Sequence, residues 1–95
     1  MNIISVFLGN LPHQVEQLAE AVVQLDCPSI QRVAHQLKGS SGNVCAEILF
    51  GIAGELETAA REKDTDRVHR LFEQTKEQQT LLLESTWLVE PEHRN

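Results

Sequence analysis

Apolar residues in this chain recur at intervals of three and four, and the few Gly and Pro residues fall where helices would start or stop. That spacing lays one apolar stripe along a helix and allows no alternating strand. The chain therefore reads as all-α, an antiparallel four-helix bundle with a short additional N-terminal helix. The short helix is expected over about Asn2 to Gly9, its patch made by Ile3, Ile4, Phe7 and Leu8. Asn10 is placed to cap a second helix beginning near Leu11, with Pro12 in its first turn and Leu11, Val15, Leu18, Val22 and Leu25 facing inward.

Asp26 and Pro28 mark the next break, after which Ile30, Val33, Ala34, Leu37, Ser41 and Val44 form a stripe. A further helix starts near Ala46 and carries Leu49, Ile52, Ala53, Leu56 and Ala60. Asp64 is placed to cap the last, led by Val68, Leu71, Phe72, Leu82 and Val89. In that last helix Thr75 and Gln79 fall on the stripe while Leu81 and Leu88 fall off it. One bundle is expected over residues 1–90, followed by a polar tail at 91–95.

Composition narrows the function. Ninety-five residues make one small domain. With 8 Lys+Arg against 14 Asp+Glu, the net charge of −6 argues against nucleic acid as a partner. Hydrophobic residues are 41% and aromatics 4%, so the core is aliphatic. No apolar stretch approaches membrane-spanning length, the apolar run in Met1 to Leu8 has no basic n-region and no small-residue cleavage site, and the two cysteines form no C-x-x-C pair. A soluble, cytoplasmic protein with no membrane contact is expected. No H-x-x-x-H or E-x-x-H pair lies on a helix, so no metal site is expected.

One segment departs from the rest. All 14 acidic residues lie outside Cys27 to Ala46, whereas Arg32 and Lys38 lie within it. At 100° per residue, His35 falls about 140° from Ile30 and so points away from the core stripe. Around it stand Arg32 at i−3, Lys38 at i+3, Gly39 at i+4 and Gly42 at i+7. Each helix-interior glycine costs roughly 0.5–1 kcal/mol relative to alanine, which a partner approaching the backbone would explain. Gly42 could alternatively be the left-handed residue ending the helix. A neutral imidazole is a competent nucleophile, and a nearby ammonium can neutralise a phosphoryl oxygen. Ser40 and Ser41 fall on or beside the stripe and are read as packing residues; His13, His69 and His93 lack comparable surroundings.

The run Ala34-His35-Gln36-Leu37-Lys38-Gly39-Ser40-Ser41, followed by Gly42-Asn43-Val44-Cys45-Ala46, resembles the signature of histidine-containing phosphotransfer (HPt) domains, A-H-x-L-K-G-S-S-x-x-x-G-A. Phe7-Leu8 before Leu11-Pro12, Leu25-Asp26, and Leu56-Glu57 with Ala59-Ala60-Arg61 are similar to the family's flanking pattern, so the resemblance runs over roughly Ile3 to Leu88. Cys45 departs from it, standing where the family usually has glycine.

The resemblance implies a monomeric bundle that accepts a phosphoryl group on His35 from a receiver-domain aspartyl phosphate and passes it to another receiver. Lys38 would lie near the phosphate and Gly39 would give clearance; beside what the resemblance implies, Arg32, Gln36 and Gly42 are expected as further phosphate- or partner-binding residues. The partners implied are receiver domains of response regulators and a hybrid sensor histidine kinase. The receiver brings its aspartate and Mg²⁺, so the chain needs no cofactor of its own. It carries no G-x-x-x-x-G-K-[ST] loop, and no autonomous kinase or hydrolase activity is expected. Two other functions fit a helical chain: an adaptor binding a receiver or kinase through the same face without being phosphorylated, and a structural or dimerising bundle using Leu81, Trp87 and Leu88.

Overall fold

The computed structural model describes residues 3–89. Four helices pack compactly: α1 (Ile3–Val23), α2 (Cys27–Asn43), α3 (Glu47–Arg61) and α4 (Thr65–Val89). The helix start at Asn2, the tail at 91–95 with His93, and the side chains of Trp87, Leu88 and Val89 lie outside what is described.

Two apolar clusters fill the interior. One joins Phe7, Leu8, Leu11 and Val15 of α1 to Leu37 near the end of α2 and to Leu49 and Ala53 at the start of α3. The other joins Leu18, Ala21 and Val22 to Ile30, Val33 and Ala34, to Ile52, Leu56, Ala59 and Ala60, and to Val68 and Leu71. The first half of α1 thus meets the second half of α2, and each connection reverses the chain. Each helix packs on its neighbours in sequence, and α4 closes against α1.

The expected separate N-terminal helix is absent. Helix α1 runs unbroken through Asn10 and Pro12, so Asn10 caps nothing and no second helix begins at Leu11. The buried positions Phe7, Leu8, Leu11, Val15, Leu18 and Val22 keep one helical phase across Pro12, which itself lies on the exposed side. An interior proline costs about 3 kcal/mol. Burying Phe7, Leu8 and Leu11 contributes roughly 1.5–3 kcal/mol each, and a break at Asn10 would turn the first two out of register. Their predicted patch is divided: Phe7 and Leu8 are buried, while Ile3 and Ile4 are exposed.

The three connections share one geometry. Leu25, Cys45 and Lys63 each have positive φ, at 51°, 59° and 59°. Each donates its N–H to the carbonyl three residues back, and the next residue donates to the carbonyl five back, as in Asp26 to Ala21, Ala46 to Ser41 and Asp64 to Ala59. This is a Schellman end with a non-glycine residue in the left-handed position. It corrects the placement of Leu25, which lies beyond the helix end and is exposed. It also replaces the alternative for Gly42: that residue stays inside α2, no glycine has positive φ, and Cys45 takes the left-handed position. The expected caps form, Asp26 accepting from the Ser29 N–H and hydroxyl and Asp64 from the Arg67 N–H.

Candidate functional site

Ile30, Val33, Ala34, Leu37 and Ser41 bury one side of α2. Five residues after Ile30, His35 is carried to the opposite side, and its side chain is 69% exposed. The neighbouring helix α3 buries Ile52, Ala53, Leu56, Ala59 and Ala60 and turns Glu57 toward α2.

The two helices meet at Glu57. One carboxylate oxygen, Oε2, lies 3.1 Å from His35 Nδ1, and the other, Oε1, lies 3.2 Å from Lys38 Nζ. An ionised carboxylate can only accept, so His35 Nδ1 carries the proton and donates it, leaving Nε2 as the ring nitrogen with a free lone pair in the neutral imidazole. Burial pushes the Glu57 carboxyl up. The Lys38 hydrogen bond and charge, followed by those of His35, more than offset this and hold it below its ordinary value. Glu57 is therefore a carboxylate at neutral pH, clamping the ring and the ammonium together.

Glu57 was missed as a site residue. The sequence displayed Leu56-Glu57 only as part of a flanking pattern, and nothing in the spacing of α2 reveals which acidic residue of another helix will stand beside His35.

The remaining site residues take different places. Arg32 is exposed on the His35 side of α2 and lines a shallow depression with Pro28, Gln31, His35, Gln36 and Glu57. It has no ion-pair partner among the described residues, in contrast to Lys38. Gln36 is exposed, and its carbonyl accepts from the Ser40 hydroxyl. At Gly39 an added Cβ would meet nothing within 4 Å, so the space above the helix there is open. At Gly42 it would stand 3.3 Å from the Phe50 ring.

Ser41 is fully buried and donates to the Leu37 carbonyl, while Ser40 accepts from the Gln14 amide and ties α2 to α1. Both serve packing, as the wheel placed them. His13 and His69 are exposed and have no carboxylate or cation partner among the described residues. Cys27 and Cys45 are free thiols. Among the described residues, no three His, Cys, Asp or Glu side chains converge as metal ligands would, and no helix is long and apolar enough to cross a membrane.

Comparison with known proteins agrees with this geometry. A family model described as Hpt domain matches residues 2–85, nearly the whole chain. No curated protein and no solved structure matches it.

Proposed function

Because the chain belongs to the Hpt domain family, whose role is His-Asp phosphotransfer in phosphorelays and whose partners are receiver domains and histidine kinases, we propose that His35 is the phosphoryl carrier. The group arrives from an aspartyl phosphate on one receiver domain and leaves to the aspartate of another. The observation that supports this best is the pairing of His35 Nδ1 with Glu57 on an otherwise open helix face.

In the forward step the Nε2 lone pair attacks phosphorus, an N–P bond forms, and the P–O bond to the receiver's aspartate breaks with its electron pair. The Nδ1 proton stays in place, so the ring becomes cationic as it is phosphorylated. Glu57 stabilises that charge and fixes the ring's orientation. Transfer onward is the reverse: a carboxylate oxygen attacks phosphorus and the electron pair returns to Nε2. Lys38, one turn along α2, and Arg32, one turn before His35, supply positive charge for the phosphoryl oxygens. Gly39 leaves the incoming domain room to reach the helix backbone, with Gln36 and Gly42 on the same contact face. The chain acts as a cytoplasmic monomer without a cofactor of its own, the receiver supplying Mg²⁺.

The test is peptide mass spectrometry after incubation with phosphoramidate at neutral to alkaline pH. One acid-labile phosphoryl group on His35 is expected, absent from His13, His69 and His93 and abolished in His35→Gln. Failure to label His35, with receiver binding retained in His35→Gln, would replace the carrier by a non-phosphorylated adaptor.

A further inference from the structure

Helix α3 runs alongside the exposed side of α2, and the two present residues in matching order. Glu57 stands against His35, a Cβ on Gly54 would lie 3.6 Å from Lys38 Cδ, and one on Gly42 would lie 3.3 Å from Phe50. Between these ends, Cβ atoms added at Gly39 or Gly51 would meet nothing within 4 Å. The surface is therefore open above Gly39 and Gly51, with Lys38 lying against Gly54 between His35 and the Phe50 ring. Phe50 is 45% exposed and borders a depression of about 410 Å³ lined also by Ser41, Gly42, Cys45, Ala46 and Glu47. Without a Cβ at 42, the ring rests directly against α2.

We propose that the Phe50 depression is the apolar anchor of the receiver footprint, taking one aliphatic or aromatic side chain of the receiver that exchanges the phosphoryl group with His35. This rests on the phosphotransfer reading above. Gly42 lies seven residues beyond His35, about 10 Å along the helix. A standard protein interface covers about 800 Å² on each partner, a patch some 25–30 Å across. A receiver that brings its aspartate to His35 Nε2 therefore reaches Phe50. Binding energy concentrates in aromatic anchors seated in pockets. The polar end of the face, with Arg32, His35, Lys38 and Glu57, handles charge and chemistry; Phe50 contributes affinity.

Two rates test this in Phe50→Ala and Phe50→Leu: labelling of His35 by phosphoramidate, and transfer to whichever receiver domain of the source organism discharges phosphorylated wild type fastest. Phosphoramidate labelling at the wild-type rate is expected in both, since a small donor needs no footprint. For the receiver, Phe50→Ala should raise KM about tenfold with kcat little changed, and Phe50→Leu should recover most of the loss. Gly42→Ala, whose Cβ would stand 3.3 Å from the ring and push it outward slightly, should shift KM in the same direction by less. An unchanged KM in Phe50→Ala overturns the anchor while leaving the carrier standing. So does sedimentation that changes from dimer to monomer on Phe50→Ala, which assigns the depression to a second copy of the chain. Wild type that is neither labelled nor discharged overturns the phosphotransfer reading itself, and the anchor with it.

Discussion

Gly39 has no reason to be glycine within the bundle: its φ is ordinary and a Cβ there meets nothing within 4 Å. Gly39→Ala should therefore stabilise the fold by about 0.5–1 kcal/mol, a rise of several degrees in Tm. Gly39→Trp should keep the helical circular dichroism yet slow transfer between His35 and a receiver at least about tenfold, because it obstructs approach and not folding. Loss of the fold in Gly39→Trp would mean that the α2 face is occupied from within. Glu57 carries a pH dependence whose sign follows from its lowered pKa. A carboxyl lowered in the folded state contributes stability that is fully present above its ordinary unfolded pKa, and that contribution fades as pH falls through the lower folded value. Thermal melts of wild type and Glu57→Gln should differ most near neutral pH and converge in acid. At this scale His35, Lys38 and Gly39 were legible because all three lie on one helix, where spacing alone gives the face. Glu57 was not, because its place beside them depends on how α3 packs against α2.

The helices themselves were legible wherever a stripe was bounded by a turn, as at Asp26 and Asp64, whose side chains cap α2 and α4. The error at α1 came from treating Asn10 and Pro12 as punctuation. Local signals for a helix start gave way to an apolar stripe that continues in phase from Phe7 to Val22. In α4 the polar Thr75 stays on the stripe because its buried hydroxyl donates to the Leu71 carbonyl, so the mixed pattern did not mean a broken helix. The turns were hidden for another reason: Leu25, Cys45 and Lys63 do not look like residues for positive φ. Holding a non-glycine residue there costs about 1–2 kcal/mol. Cys45→Gly and Lys63→Gly should each raise stability by about 1 kcal/mol in chemical denaturation, with unchanged helix content. The cysteine that departs from the family pattern thus keeps the turn glycine would make.

Across the whole molecule, Phe72 packs against both apolar clusters, one toward each end of the bundle. The clusters also share α1, α2 and α3, so neither end can open without stripping contacts from the other. Unfolding should therefore be one cooperative transition, with calorimetric and van't Hoff enthalpies equal at roughly 60–70 kcal/mol for a chain of this size. A second transition, or an enthalpy ratio well above one, would show that the two clusters melt separately. The sequence by itself determined that the chain is helical, which side of α2 and α3 is buried, and that His35 stands exposed among cations and glycines, because helical periodicity turns residue spacing directly into direction. Only the tertiary structure decided that α1 is one helix and that Glu57 clamps His35 and Lys38. It alone laid Phe50 in the gap left by Gly42, because each of these depends on which surfaces meet when separate helices pack.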